Sequence, residues 1–275
     1  MTSKYHKTDK EIPRVRVLLF HRILPKVSDG DTLKIDISES SFQKQIELLD
    51  RWGYTAITFS DIALYLSGKL DLPKKPVILT FDDTNKNMFD YGYPLLQSFG
   101  MKAVIFLVTD NIMVQNVRDQ GIRKEYEILG QQEVLEMHSA GFEIGSHTIT
   151  HPRLTLVASK IAREEIERSR MIMEIFLNAP VKSFAYPFGL VNDEIKKLVK
   201  ESGYLFACSS SSGQRDISRD LLEIRRIKVR NTTNSFIIYF QLHEIYSFYS
   251  WLRWTIGQNV LNIIKNMLRN KSANI

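Results

Sequence analysis

Four glycines divide the chain into alternating helical and extended segments. Gly53, Gly100, Gly141 and Gly203 each follow a segment with helical periodicity, and an apolar, strand-like run begins directly after each of them. Glycine commonly occupies the first position after a helix, where the backbone adopts a positive φ. Helices and strands that alternate at this spacing predict an α/β fold with a parallel sheet, either covered by helices on both sides or closed into a barrel.

The size and composition of the chain fit a globular protein. Its 275 residues, 44% of them hydrophobic, are enough for one large core. The single cysteine, Cys208, has no partner for an internal disulfide, and its apolar neighbours favour a buried thiol over a nucleophile. Residues 1–20 carry charges where a signal peptide needs an apolar segment, and no stretch has about 18 uninterrupted apolar residues. We therefore expect a cytoplasmic protein without a membrane-spanning helix.

Polar side chains and a proline turn stand where the strand-like runs end. Asp82 and Asp83 follow one run, His147 follows another, and His21 follows the first run of the chain. The turn 187–189 follows a fourth. Because the carboxyl ends of parallel strands lie on the same side of a sheet or barrel, we expect these residues to converge on one rim.

Two histidines and two aspartates in these positions suggest a metal site. His147 and His151 are four residues apart, and the proline after His151 disfavours a helix, so we expect the pair on a strand-to-loop turn. Adjacent residues of an extended chain point to opposite sides. One of Asp82 and Asp83 would therefore complete a three-ligand site, and the other would accept a proton from water at the open position. The alternatives are ordinary polar packing of the histidines and a helix N-cap for the aspartates.

Three motifs, in this order and spacing, resemble those of a known family. They are TFDD at 80–83, SHTITH at 146–151 and FAYPFG at 184–189. They are similar to the first three motifs of the polysaccharide deacetylases, the NodB-homology domain of carbohydrate esterase family 4. The resemblance covers about residues 14–230 and implies a distorted (β/α) barrel of about seven parallel strands. It also implies a metal-dependent hydrolase that removes N-acetyl or related acyl groups from an amino sugar in a polysaccharide or a lipid-linked glycan.

The same resemblance assigns roles to the aspartates and histidines. Asp82 is implied to be the general base. Asp83, His147 and His151 are implied to bind one divalent metal ion, with zinc expected first and cobalt, nickel or manganese as alternatives. The general acid that protonates the leaving amine is expected to be His21.

The assignment of the acid comes from a subgroup of the family. The segment 18–23, LLFHRI, resembles the Tyr-His-x-Ile opening of poly-N-acetylglucosamine deacetylases, in which a late histidine motif is moved to the front of the domain. His243, in the sequence QLHE, is the second candidate. A histidine that only satisfies the edge of the core is the alternative for His21.

The proline turn is implied to line the sugar site through Tyr186, Pro187 and Phe188, with core packing as the alternative for the aromatic rings. Arg226 is expected to bind substrate as well. Many family members carry an arginine near the base where this chain has Ala185, so Arg225 or Arg226 is the alternative partner of Asp82.

Two departures from the family pattern leave a second function open. Ala185 is one of them, and the other is Thr84, which replaces the glycine that usually follows the aspartates. The alternative function is that of a catalytically degenerate, carbohydrate-binding NodB-like protein.

A C-terminal segment, residues 236–275, follows a predicted barrel domain of residues 1–235. Eight of its first nineteen residues are aromatic, and it contains four basic residues and one acidic residue. Aromatic and basic residues beside an apolar helical face are typical of an interfacial helix, which would place the protein at the inner face of a membrane. The alternatives are a helix packed on the barrel and a dimer contact. Besides the glycan substrate, the expected partner is thus a membrane surface, and no nucleic acid is expected.

Overall fold

The computed structural model describes residues 11–27, 35–83, 85–113, 127–210 and 217–233, together with Ile238, Tyr239 and Leu242. Two compact units, residues 1–231 and 232–275, make up the chain. The predicted boundary at residue 235 and the predicted amphipathic tail stay predictions, because residues 243–275 lie outside the described part of the chain. Thr84 and His243 lie outside it too.

Eleven strands occur in the described residues, and nine of them form one parallel sheet. In chain order they are β1 (Arg16–Phe20), β2 (Arg22–Leu24), β3 (Asp36–Ser38), β4 (Thr55–Ala56), β5 (Pro76–Phe81), β6 (Val104–Leu107), β7 (Glu143–Ser146), β8 (Ser183–Ala185), β9 (Phe206–Ser209), β10 (Ile224–Arg225) and β11 (Ile227–Lys228). β2 and β3 form a separate parallel pair.

Seven α-helices occur in the same residues. They are α1 (Glu39–Arg51), α2 (Phe59–Leu66), α3 (Tyr93–Ser98), α4 (Thr109–Met113), α5 (Gln131–Ser139), α6 (Ser159–Leu177) and α7 (Asp193–Glu201). None of the helices described is long and apolar enough to span a membrane.

The main sheet runs around an almost closed barrel. Its strand order is β10-β9-β8-β7-β6-β5-β1-β11, and β4 pairs with β5 away from this path. β10 and β11 are at opposite edges of the sheet, yet only Arg226 separates them in sequence. Residues 224–228 therefore bring the two edges together. The prediction of a (β/α) barrel is confirmed, and β10 with β11, counted as one interrupted strand, is the seventh strand on the described path.

The four glycines identified in the sequence end helices as predicted. Gly53 has φ +73° after α1, and the amide of the next residue, Tyr54, donates to the Leu49 carbonyl at 2.9 Å. Gly100, Gly141 and Gly203 also have positive φ. Each helix thus ends at a residue that tolerates a left-handed backbone, and the chain turns directly into the next strand.

The strands are buried on both faces, as expected for a barrel surrounded by helices. Every residue of β1, β5, β6, β7 and β9 is buried. Cys208 belongs to this core, and burial raises the pKa of its thiol to about 12. This agrees with the predicted structural role of the cysteine, since a thiol with so high a pKa is a poor nucleophile at neutral pH.

The carboxyl ends of the strands converge on one rim, where the candidate residues lie. β1 and β5 pair through Phe20 and Phe81, so that His21 and Asp82 follow at neighbouring strand ends. His147 follows β7, and Arg226 stands at the break between β10 and β11. The barrel therefore gathers onto one rim residues that are far apart in sequence.

Candidate metal centre

Asp82 and Asp83 end β5 with different backbone conformations. The Asp82 amide donates to the Phe20 carbonyl at 3.2 Å and so continues the pairing with β1. Asp83 has φ +74°, a left-handed conformation that aspartate tolerates better than most residues. This turn changes the strict alternation expected of an extended chain. Both carboxylates lie near His147 Nε2, at 4.0 Å from Asp82 Oδ2 and 3.6 Å from Asp83 Oδ1.

His147 is held in one tautomer by the backbone of β8. Its Nδ1 lies 2.7 Å from the carbonyl oxygen of Ala185. Because a carbonyl only accepts hydrogen bonds, Nδ1 carries the proton and donates it to this contact. Nε2 is therefore left with a lone pair directed at the aspartates, as in histidines that bind metals.

His151 reaches the site through a tight loop, as the sequence predicts, and not through a helix. Thr148 and His151 have φ of +70° and +61°, and the Thr148 hydroxyl oxygen accepts a hydrogen bond from the His151 amide. Glu165 of α6 holds the middle of the loop. Its carboxylate accepts hydrogen bonds from the amides of Ile149 and Thr150 and from the Thr150 hydroxyl, at 2.7–3.0 Å.

Three side-chain atoms from this arrangement fit one metal ion. Asp83 Oδ1 lies 3.6 Å from His147 Nε2 and 3.5 Å from His151 Nε2, and the two nitrogens are 3.1 Å apart. Ligands at about 2.1 Å from an ion in tetrahedral geometry are about 3.4 Å from one another. These three atoms form the group that the described residues offer for an ion. The donor set and its spacing thus fit zinc or a similar divalent ion.

The charges of the site affect one another strongly. Burial alone raises the pKa of Asp83, but the contact with His147 and the charges of three histidines outweigh it, and the pKa of Asp83 is lowered. Burial lowers the pKa of His147, yet the two carboxylates reverse the effect and raise it. The pKa of His151 is lowered by its burial and by the charge of His147. Asp83 is therefore ionised at neutral pH.

Asp82 is paired with Arg226 and does not share the metal group. Both side chains are buried, with 5% and 3% exposure, and two parallel hydrogen bonds of 2.7 Å join the guanidinium to the carboxylate. Arg226 also donates to the Ser209 carbonyl and the Thr80 hydroxyl. Burial raises the pKa of Asp82, but the charge of Arg226 dominates and lowers it. The expectation that Arg226 binds substrate is corrected, since its donors are used on Asp82 in the core.

His21 belongs to the same electrostatic group. Burial lowers its pKa, while the charges of Asp82 and Asp83 raise it and those of Arg226 and His147 lower it further. The net direction is downward, so the imidazole is mainly neutral before substrate binds. The site thus holds an ionised carboxylate and a neutral imidazole at neighbouring strand ends.

The proline turn divides its residues between core and surface. Tyr186 is fully buried, and its hydroxyl donates to the Leu222 carbonyl at 2.7 Å. Pro187 is buried as well. The expectation that these two residues line the sugar site is corrected in favour of core packing. Phe188 is 50% exposed, and its ring centroid lies 4.7 Å from that of His151.

Two groups that position the site, the Ala185 carbonyl and the Glu165 carboxylate, could not be identified from the sequence motifs. The Ala185 carbonyl orients His147, and any residue has a carbonyl, so nothing in the sequence marks it. Glu165 carried a weak signal, because it stands among Ala162, Ile166 and Ser169 on the buried face of α6. A carboxylate on an apolar helical face needs buried partners.

A family model described as polysaccharide deacetylase matches residues 69–207, just over half of the chain. The chain belongs to the polysaccharide deacetylase family. The resemblance seen in the three motifs and the expected enzyme class, a carbohydrate deacetylase, are thereby confirmed. Deacetylation of polysaccharides is the chemistry of this family, and its metal dependence agrees with the three-ligand group of the rim.

Relatives of this deacetylase occur in several bacteria. YxkH of Bacillus subtilis (strain 168), named as a polysaccharide deacetylase, is 26% identical over 228 residues, which are 83% of this chain and 75% of that protein. The poly-β-1,6-N-acetyl-D-glucosamine N-deacetylase of Staphylococcus aureus (strain MSSA476) is 24% identical over 191 residues, or 66% of this chain. The chain spans 63% of the staphylococcal enzyme.

Solved structures show the same fold. The Streptococcus pyogenes deacetylase PplD superposes with a TM-score of 0.72 at 22% identity, over 82% of this chain and 96% of that chain. BC0361, a polysaccharide deacetylase from Bacillus cereus, superposes with a TM-score of 0.68 at 27% identity, over 83% and 68% of the two chains. IcaB from Ammonifex degensii reaches a TM-score of 0.66 at 21% identity, over 78% and 91%.

Proposed function

We propose that this deacetylase is a metal-dependent hydrolase that removes an N-acetyl or related acyl group from an amino sugar of a polysaccharide or a lipid-linked glycan. The observation that carries the proposal is the convergence of Asp83, His147 and His151 beside a second, buried carboxylate, that of Asp82. Catalytic zinc sites typically have three protein ligands and an open position, whereas structural zinc sites have four protein ligands. Membership of the family supports the reaction class.

Asp83, His147 and His151 would hold one divalent ion. Two imidazoles and one carboxylate are ligands that suit zinc. When bound, the ion supplies an acidified water molecule and polarises the acyl oxygen. The chain supplies the orientation of the ligands, through the Ala185 carbonyl on His147 and through Glu165 on the loop that carries His151.

Asp82 is the general base in this proposal. Its Oδ2 lies 4.0 Å from His147 Nε2, next to the ligand group but outside it. The bidentate contact with Arg226 keeps the carboxylate ionised and prevents its rotation. An ionised, immobile carboxylate beside the ligands is suited to accept a proton from the attacking water.

His21 is the general acid in this proposal. Cleavage of the C–N bond leaves an amine, which needs a proton to depart. His21 follows β1 next to the strand end that carries Asp82, so the group that accepts the proton and the group that delivers one stand on the same rim. Burial leaves the imidazole mainly neutral, so the acid role requires His21 to take up a proton before the amine departs, and the charges of Asp82 and Asp83 favour this protonation.

Phe188 is the proposed wall of the sugar site. The ring is half exposed and contacts His151, so that a pyranose ring lying against it would bring its acyl group toward the ligands. Tyr186 and Pro187 support this wall from the core and do not touch the sugar.

The test compares three variants of the full chain. Wild-type protein should contain about one divalent ion per chain and release acetate from N-acetylglucosamine oligomers. Asp82→Asn should retain the ion and lose turnover by about 10²- to 10⁴-fold, whereas His147→Ala should lose the ion. Asp110→Asn, which changes an exposed aspartate of α4, is the matched control and should behave as wild type. Metal content is measured by mass spectrometry and acetate by a coupled assay.

Two results would contradict the proposal. Turnover that persists in Asp82→Asn excludes Asp82 as the base, and turnover that persists without metal excludes the ion. Binding of oligomers by wild type without acetate release, with any of zinc, cobalt, nickel or manganese added, would favour the non-catalytic carbohydrate-binding function.

Location at the inner face of a membrane is likewise a proposal. It rests on the aromatic and basic residues of the segment 236–275 alone, most of which lies outside the described residues. Deleting this segment should reduce sedimentation with anionic liposomes, and unchanged sedimentation would exclude the membrane contact.

A further inference from the structure

An arginine lies over the exposed aromatic ring beside the metal ligands. The guanidinium carbon of Arg153 is 4.6 Å from the centroid of the Phe188 ring, and the same ring contacts His151. Arg153 is exposed and follows His151 by two residues. Within the described residues, no carboxylate forms an ion pair with Arg153. Its charge is therefore available at the rim of the site.

The backbone holds both members of this stack in place. Phe188 has φ +59°, which costs a non-glycine residue about 1–2 kcal/mol and persists only where the surroundings impose it. Here the turn is closed by the Gly189 amide, which donates to the Tyr186 carbonyl at 2.8 Å. The Arg153 carbonyl accepts a hydrogen bond from the Leu156 amide at 2.8 Å, at the start of the short helical turn Leu154–Leu156.

A guanidinium stacked on a ring is prepared for binding an anion. Stacking uses the face of the planar group and leaves the N–H donors at its edge free. These donors match two oxygens of a phosphate or a carboxylate, and a side chain already held by the ring loses less conformational entropy on binding.

We propose that Arg153, stacked on Phe188, forms a subsite for an anionic group, a phosphate or a carboxylate, on the glycan next to the sugar that is deacylated. The inference rests on the proposed function and narrows its substrate class to anionic amino-sugar glycans. Arg153 lies beside the ligand His151 but is not itself a metal ligand. Its role is therefore in substrate specificity and not in the chemical step.

The experiment measures binding without turnover. The zinc-loaded Asp82→Asn protein is titrated by calorimetry with three probes, which are neutral N,N′-diacetylchitobiose, N-acetylglucosamine 1-phosphate and an N-acetylated disaccharide that carries a uronic acid. At least one anionic probe should bind about tenfold more tightly than the neutral one at low salt, and added salt should reduce the difference. The two anionic probes distinguish a phosphate from a carboxylate subsite.

Arg153→Gln, introduced into the same protein, should abolish the preference and leave the affinity for the neutral probe within about twofold. Arg153→Lys, which keeps the charge but not the planar fork, should retain part of it. Arg168→Gln on α6 changes another exposed arginine and is the matched control.

Three results would overturn the inference. The first is equal affinity for neutral and anionic probes, which includes no binding of any probe. The second is an equal loss of affinity for all probes in Arg153→Gln. The third is a preference for anionic probes that survives in Arg153→Gln because the anion binds the metal. Acetate release by the wild-type enzyme from neutral oligomers is measured separately, so that failure of the proposed function is distinguished from failure of the subsite.

Discussion

Replacing Arg226 with methionine should destabilise the barrel because it leaves the buried Asp82 carboxylate without its partner. The pair contributes two hydrogen bonds of 2.7 Å between groups that are at most 5% exposed. Breaking a buried ion pair by removing one partner costs about 3–5 kcal/mol. The Ser209 carbonyl and the Thr80 hydroxyl also lose a donor each, so we expect a loss of about 4 kcal/mol, out of a total stability of about 5–15 kcal/mol.

The assay is equilibrium urea unfolding followed by circular dichroism, with a chelator present so that metal binding does not contribute. Arg225→Met is the matched control, because Arg225 is the adjacent, exposed residue, and its loss should change the free energy of unfolding by less than about 0.5 kcal/mol. The double variant Asp82→Asn with Arg226→Met should regain about 2 kcal/mol relative to Arg226→Met alone, since the unpaired charge is removed.

The pH dependence of stability should change sign at this pair. In the wild type the pKa of Asp82 is lowered, so its contribution is present above the unfolded pKa of about 3.9 and is lost as the pH falls through the folded value. Without Arg226 only the charges of His147 and His21 oppose burial, so the pKa of Asp82 should rise, and once it exceeds the unfolded value the contribution is lost as the pH rises. A destabilisation below about 1 kcal/mol, or no recovery in the double variant, would refute the reasoning.

Four further substitutions test the loop, the core and the helix ends. Glu165→Gln should lower zinc affinity about 10- to 100-fold, measured by competition with a chelator. The control Glu167→Gln changes an exposed residue of the same helix and should not change the zinc affinity. Equal affinities of the two variants would exclude a role of Glu165 in positioning the loop. Burial raises the pKa of Glu143, so its stabilising contribution is present below the unfolded pKa and is lost as the pH rises through the folded pKa. The unfolding free energy of Glu143→Gln should therefore depend less on pH than that of the wild type. An unchanged pH dependence would contradict this. Gly53→Ala should cost about 1 kcal/mol of unfolding free energy, because its φ is +73°. Gly203→Ala should cost more in the same urea assay, because the new Cβ would also clash with the guanidinium of Arg170 on α6, and equal losses would show that this contact relaxes freely.

The local features of this deacetylase were predictable because they depend on neighbours in the chain. The helix ends at the glycines follow from backbone sterics, and the alternation of segments follows from periodicity. That one aspartate after β5 would lie near His147 and His151 was predictable as well, since parallel strands place their carboxyl ends together, and the family resemblance implied that this aspartate is Asp83. The SHTITH segment needed only the proline and the spacing of its histidines to be assigned to a turn.

The contact between Arg226 and Asp82 at the candidate site depends on closure of the barrel. Arg226 and Asp82 are 144 residues apart, and they meet because β10 and β11 bring the two edges of the sheet together at Arg226. Nothing in the motif distinguished Arg226 as a partner of Asp82 from Arg226 as a substrate ligand. Burial decided between them, and burial is a property of the folded chain.

The amino-acid sequence alone determined the strand-and-helix order, the family and the residue types of the candidate metal ligands, because these follow from periodicity and from residue types at fixed spacing. Only the tertiary structure decided which aromatic ring of the proline turn faces solvent, which nitrogen of His147 is free and which carboxylate is held by Arg226. These depend on the carbonyls of Leu222 and Ala185 and on the strand break at Arg226, which are distant in the chain from the side chains that they contact.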